Sequence, residues 1–309
     1  DNSNSQISST YYNDIDLTDI NHSGDFDGDG RLDFISDNKL FTKLFETQTG
    51  APAIPLHPEM INILYGEKIV ATTISNGKLN QFQSIVQANR NPLTIDFKVF
   101  NLQGQTFSNS YNKIVNIDTE GEYGEPIYEN IYCPSNDCEY IASQQWSGGP
   151  DTPPVWKNFC NENNPVKNII KYYEGDYNSD GISEIFIVNE KRVRNYHYRT
   201  YIGESGGTTC DMDDSTVEVE YFLLNLDPTK SSSLGTDGFI KLPNTFLLNE
   251  DFKFEERFLG DFNGDGKTDI LVISRHPSNF AHYAIFSFKE LSSVPWIELE
   301  VIGQGAIDR

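Results

Sequence analysis

The stretch GDFNGDGKTDILVIS, Gly260 to Ser274, sets four oxygen-bearing side chains, Asp261, Asn263, Asp265 and Asp269, at steps of two, two and four. Glycines are threaded among them, and the run ends in Ile270-Leu271-Val272-Ile273. The apolar end reads as a β-strand, but a strand needs no acidic preface. The preface recurs: GDFDGDGRLDFIS spans Gly24 to Ser36, and GDYNSDGISEIFIV begins at Gly175 and reaches Val188 by way of Glu184. Asp176 and Asp261 lie 85 positions apart, and Asp25 and Asp176 lie 151 apart, which leaves room for an intervening unit without the signature. Repeats that each hold several short strands point to a propeller or solenoid rather than a sandwich.

The chemistry of the preface is that of a hard cation. Positions 1, 3, 5 and 9 carry Asp25, Asp27, Asp29 and Asp33 in the first copy, and Asp176, Asn178, Asp180 and Glu184 in the second. In the third they carry Asp261, Asn263, Asp265 and Asp269. Calcium takes about 6 to 8 oxygens, and alternate residues on a tightly curled backbone point inward to supply them. Position 7 (Arg31, Ile182, Lys267) contributes its carbonyl, so its side chain is free to vary. Position 6 is glycine throughout (Gly30, Gly181, Gly266), as a sharp turn requires. The expectation is three Ca²⁺ sites, favoured over Mg²⁺ because the ligands are numerous and all from protein. The first site carries four carboxylates and the others three each, a density of charge that is unfavourable without a counter-cation.

Outward from these loops the chain reads as all-β. Lys68 to Ser75, Leu93 to Phe100, Glu184 to Val188, Thr216 to Leu224, Asp269 to Ser274, Phe280 to Phe288 and Trp296 to Ile302 are short, rich in β-branched and aromatic residues, and bounded by turn formers. No segment sustains a helical period. Glu120 to Pro154 and Gly203 to Asp214 read as long loops or decorated hairpins, and Asn116 to Pro126 as a surface loop. About sixteen strands at four per blade give four blades, within the usual ~4 to 8 of a propeller. The whole chain, 1–309, is expected to be one such domain, complete or partial, with irregular or degenerate blades over 37–170.

The pattern Gly-Asp-aromatic-(Asp/Asn)-x-Asp-Gly-x-x-(Asp/Glu) before an apolar strand resembles the FG-GAP or VCBS repeat of integrin α-like β-propellers and of bacterial secreted proteins. The resemblance implies side-chain ligation by the twelve residues named and carbonyl ligation by Arg31, Ile182 and Lys267. It covers three loops, about 40 residues. SSVPWIELEVIGQG near the C-terminal end and GKLNQFQSIV from Gly77 further resemble the propeller regions of bacterial Rhs/YD-repeat and insecticidal toxin-complex proteins. That second likeness implies a place in a larger shell-forming protein.

Composition narrows the partners. With 46 acidic against 23 basic side chains the net charge is −23, which repels phosphate backbones and anionic membrane surfaces. Nucleic acid and membrane insertion are therefore not expected, since no apolar run approaches the ~20 residues of a span. The four cysteines, Cys133, Cys138, Cys160 and Cys210, lack zinc-site spacing and read as disulfides of a secreted or cell-surface protein. Cys133 with Cys138, bracketing a turn-rich segment, is the first pairing to try, leaving Cys160 with Cys210.

No catalytic set emerges. GESGG, Gly203 to Gly207, matches a nucleophile elbow on paper, but the turn-forming residues after it lack the required helix, so Ser205 is not expected to be a nucleophile. His22, His57, His197, His276 and His282 show no ligand spacing and read as surface or packing residues. The expected function is a non-enzymatic, calcium-binding scaffold or interaction module whose partner is another protein or the rest of a larger chain. The alternative is a carbohydrate-binding or polysaccharide lyase propeller, motivated by Trp146, Trp156, Trp296 and the many tyrosines as a glycan platform.

Overall fold

A computed structural model describes residues 22–36, 38–42, 53–58, 66–71, 74–75, 78–79, 83–124, 127–132, 165–202, 208–226, 238–242, 254–275, 280–290 and 297–308. Two compact units divide the chain: Asp1–Ile117 with Lys171–Ile187 and Tyr221–Arg309, and Asp118–Ile170 with Val188–Glu220. The protein is all-β, and four small antiparallel sheets are arranged as a four-bladed β-propeller.

Blade one orders β1 (His22–Gly24), β2 (Asp33–Ser36), β3 (Lys39–Phe41) and β4 (Ile54–Pro55) as neighbours. Blade two begins with β5 (Gly66–Ala71), digresses through the two-stranded ribbon β6 (Ile74–Ser75) and β7 (Lys78–Leu79), and continues with β8 (Ser84–Asn91), β9 (Thr94–Gln103) and β10 (Thr106–Asn116). It carries no acidic loop: the ribbon stands where the other blades have one. Two short strands follow, β11 (Glu122–Tyr123) and β12 (Ile127–Tyr132), before blade three, which is β13 (Ile169–Gly175), β14 (Glu184–Ile202), β15 (Thr208–Asn225) and β16 (Phe239–Leu242). Blade four is β17 (Phe254–Gly260), β18 (Asp269–Arg275), β19 (Phe280–Glu290) and β20 (Ile297–Asp308).

Burial follows the strand period. In β9, Ile95, Phe97 and Val99 alternate inward, the two-residue repeat of a half-buried strand. In β14, by contrast, Ile185, Phe186 and Ile187 are all fully buried, as befits a strand covered on both faces. Apolar side chains cross the joints between blades. Phe26, Ile35 and Leu40 of blade one pack in one cluster with Ile85, Phe100 and Phe107 of blade two. Tyr177 of blade three meets Phe288 of blade four at 4.6 Å between ring centroids, and Phe186 presents its face or edge to the same ring at 5.9 Å.

The second unit holds the distal lengths of β14 and β15, the start of β15 lying where the sequence suggested loop. Gly203 to Asp214 is in part strand, since β15 starts at Thr208. Parallel pairing of Glu122 with Val193 and of Ile127 with His197 likewise turns part of Glu120 to Pro154 into β11 and β12. Polar contacts replace apolar burial there: Arg194 grips Asp214 through two bonds of 2.7 and 2.9 Å. Lys191 reaches both Glu218 and Glu220 at 3.2 Å, and Asn168 and Asn189 both donate to the Asp118 carbonyl at 3.0 Å. Such cross-strand pairs leave no apolar period to read. Cys133, Cys138, Cys160, Ser205, His276 and the three tryptophans lie outside the described residues, as does the Cys210 side chain.

Candidate metal centres

Each acidic segment joins the first strand of a blade to the second: 25–32 between β1 and β2, 176–183 between β13 and β14, and 261–268 between β17 and β18. Backbone N–H groups fix the carboxylates from within. In the first loop Gly28 and Gly30 donate to the two oxygens of Asp25 at 2.8 and 2.9 Å, Asp29 N donates to Asp27 Oδ1 at 3.2 Å, and Arg31 N to Asp29 Oδ1 at 2.9 Å. The third loop repeats this with Gly264 and Gly266 on Asp261 at 2.7 and 2.9 Å, Asp265 N on Asn263 and Lys267 N on Asp265, both at 2.9 Å. In the second, Asp180 N and Gly181 N bond Asp176 at 3.0 and 2.8 Å, and Ile182 N bonds Asp180 at 2.9 Å. The result brings one oxygen each of Asp25, Asp27 and Asp29 within 4.8 Å of one another.

The curl demands left-handed backbone twice per loop. Gly30, Gly181 and Gly266 have φ of 82°, 83° and 82°, and Gly28 and Gly264 have φ of 78° and 79°. At the place corresponding to Gly28 the second loop has Ser179, at φ 63°, a conformation that costs a side-chain-bearing residue about 1–2 kcal/mol.

Side-chain bonds of this kind alone would build an ordinary turn. Position 9 is different. Asp33 Oδ2 accepts from Phe26 N at 2.8 Å and Asp27 N at 3.3 Å, and Asp269 Oδ2 accepts from Phe262 N at 3.0 Å, so each carboxylate reaches back to the loop's own start. Their other oxygens, Asp33 Oδ1 and Asp269 Oδ1, are buried and have no hydrogen-bond partner among the described residues. Asp33 is 1% exposed and Asp269 0%. Burial pushes the Asp33 carboxyl up to about 6; the Phe26 N–H pulls it back, and the charges of Asp27 and Asp29 raise it further. Asp261, at the open end of its loop, is held below the usual carboxylate range by the Gly266 N–H, with Gly264, Asp265 and Asn263 adding to the effect.

Glu184 departs from this pattern. Its Oε2 accepts from Tyr177 N at 2.9 Å, as its counterparts do, but Oε1 accepts two amide donors, Asn178 Nδ2 and Asn225 Nδ2, both at 3.1 Å. Asn225 closes β15 in the same blade and was not singled out by any sequence signal.

A second feature escaped the sequence: the loops are latched to the next blade. Gln83, just before β8, accepts from Asp25 N through Oε1 at 3.0 Å and donates its own N–H to the Asp25 carbonyl at 2.7 Å. Thr268, just before β18, does the same for Asp176, at 3.0 Å through Oγ1 and 2.7 Å through N–H. These approaches explain the glycine of each Gly-Asp pair. A Cβ on Gly24 would lie 2.5 Å from Gln83 Oε1, and one on Gly175 would lie 2.6 Å from Thr268 Cγ2; on Gly260 the nearest atom is Phe262 Cζ, at 3.4 Å. The aromatic that follows shows the same contrast, Phe26 and Tyr177 being buried while Phe262 is 44% exposed.

No protein-family model and no curated protein matches the chain. Among solved structures it aligns with a protein from Lactobacillus plantarum at 12% identity and a TM-score of 0.19, covering 91% of this chain and 80% of that one. A likeness that slight carries no argument about function.

Proposed function

We propose that the protein is a calcium-stabilised β-propeller that serves without catalysis as an extracellular scaffold or protein-interaction module, of the kind that FG-GAP and VCBS repeats build. Asp25, Asp27, Asp29 and Asp33 with the Arg31 carbonyl would hold one ion, and Asp261, Asn263, Asp265 and Asp269 with the Lys267 carbonyl another. Asp176, Asn178, Asp180, Glu184 and the Ile182 carbonyl make a third, weaker site, because Glu184 is already satisfied by amides. The observation that supports this reading is the pair of buried oxygens on Asp33 and Asp269 that have no hydrogen-bond partner among the described residues. A buried carboxylate oxygen without a donor is costly, and a divalent ion removes that cost. A cell-surface or secreted setting fits, since extracellular calcium modules work at about 10⁻⁴ to 10⁻³ M. The partner would be another protein or the remainder of a longer chain such as a toxin-complex shell.

Calorimetric titration of the purified chain with calcium tests the reading. Two ions bound tightly and a third weakly, each raising the melting midpoint and each removed by chelator, is the expected result. Melting that is indifferent to both calcium and chelator would overturn it.

A further inference from the structure

Two joints between blades are built alike, and the repeat lays out a third that is not made. In each made joint the face that carries the Gly-Asp-aromatic run is covered by the blade that follows. On blade one, Gly24 lies against Gln83 and Val70, and Phe26 is 0% exposed. On blade three, Gly175 lies against Thr268, and the buried Tyr177 meets the Phe288 ring at 4.6 Å. The corresponding face of blade four is bare. Phe258 is 47% exposed and Phe262 44%, and only the Phe262 ring comes near Gly260. Neither the N–H nor the carbonyl of Asp261 is bonded to another blade among the described residues. Solitary apolar residues on a surface are ordinary, but Phe258, Gly260 and Phe262 follow one another along a face whose two counterparts are sealed.

The made joints also show what the missing cover looks like. Thr268, which clasps Asp176, is position 8 of its loop and stands directly before the second strand of its blade. Blade one has Leu32 at that position, and it is 62% exposed. A leucine brings an N–H and an apolar side chain, which is what the Asp261 carbonyl and the two bare rings can take. Both halves of one joint are therefore uncovered on the same chain and do not meet within it, and two such complementary patches describe a head-to-tail contact between copies. We propose that the blade-four face of one copy receives the Leu32 edge of blade one of a second copy. The Leu32 N–H donates to the Asp261 carbonyl, as the Thr268 N–H does to that of Asp176, and the leucine side chain lies over Gly260 between Phe258 and Phe262. Two acidic loops can neighbour one another there, since the joint between blades three and four already brings Gly266 to within about a contact distance of Ser179.

None of the loop side chains takes part, so the joint stands or falls apart from the calcium reading. Sedimentation of the full chain in calcium-containing buffer should show mass rising with concentration, and Phe258→Glu should weaken that association about tenfold or more while melting within a few degrees of the parent. Oxidative cross-linking fixes the partner. A Cβ on Gly175 would lie 2.8 Å from that of Thr268, so cysteines at the equivalent places in the proposed joint fall near disulfide distance. A Gly260→Cys chain mixed with a Leu32→Cys chain should give a linked pair that neither gives alone. A monomer at every concentration, association unchanged in folded Phe258→Glu, or no mixed pair would overturn the proposal. So would Gly260→Cys chains linking to each other, or the double variant closing within one chain rather than between chains.

Discussion

The first and third acidic loops and the second share a motif and solve one problem in two ways. Each must bury the carboxylate that ends the loop and starts a strand. With aspartate there, one oxygen reaches the backbone and the other is stranded, as at Asp33 and Asp269. Glutamate is one methylene longer, and Glu184 extends far enough to collect the Asn225 amide from β15 as well as Asn178. The difference teaches that a single-residue change at position 9 decides whether protein amides satisfy the buried carboxylate or leave one oxygen without a donor among the described residues. On the proposed reading a cation meets the stranded oxygen in the first and third loops, where the second has protein amides.

The strongest way to break this comparison is to measure stability with calcium and with chelator. Ligand binding confined to the folded state stabilises by about 2.7 kcal/mol per site at a hundredfold excess over the dissociation constant. Asp33→Ala and Asp269→Ala should each abolish about that much of the calcium-dependent stability, read as the difference in melting with and without chelator. Glu184→Gln should leave most of it intact. Equal losses in all three variants would erase the distinction.

A second test concerns the latches. Gly175→Ala should cost about 1–3 kcal/mol in chemical denaturation because its Cβ would sit on Thr268. Gly260→Ala should cost only a few tenths, there being no close approach to a neighbouring blade at that position.

Asn225→Leu sharpens the contrast from the other side. It strips Glu184 Oε1 of its interstrand donor and should destabilise the calcium-free protein by about 1–3 kcal/mol. Saturating calcium should restore much of that loss, turning the second loop into one that depends on its ion. A smaller effect of opposite sign is expected from Ser179→Gly, which relieves the left-handed backbone at φ 63° and should gain about 0.5–1 kcal/mol.

The subtlest consequence is in pH. Because the Asp33 pKa is raised to about 6 in the folded, ion-free state, its protonated form suits the fold. The contribution is fully present below the unfolded carboxylate value of about 4 and is lost as pH rises through about 6. Calcium requires the deprotonated form, so affinity at the first loop should fall as pH drops through about 6, with proton release on binding. Calorimetry in buffers of different ionisation enthalpy would show it, and Asp33→Asn should remove the coupling.

Much of this was legible in the residues, for physical reasons that can be named. Strand existence in β18, β19 and β20 follows from β-branched and aromatic runs, and the turn chemistry of the loops from glycines that the left-handed backbone requires. The distal halves of β14 and β15 were not legible, because Arg194 with Asp214 and Lys191 with Glu220 hold them without any apolar alternation. Nor were Gln83, Thr268 and Asn225. Their work is done across 58, 92 and 41 positions of sequence, and only the fold makes them neighbours. The glycine of Gly24-Asp25 and Gly175-Asp176 was visible as a repeat, yet its reason lies in another blade.

Those spans also set a timetable. A nascent chain translated at about 5–20 residues per second waits several seconds after Asp25 leaves the ribosome before Gln83 follows, and longer still between Asp176 and Thr268. Until then the first and second acidic bends lack their clasps, and of these two joints the one that Thr268 completes is the later to form.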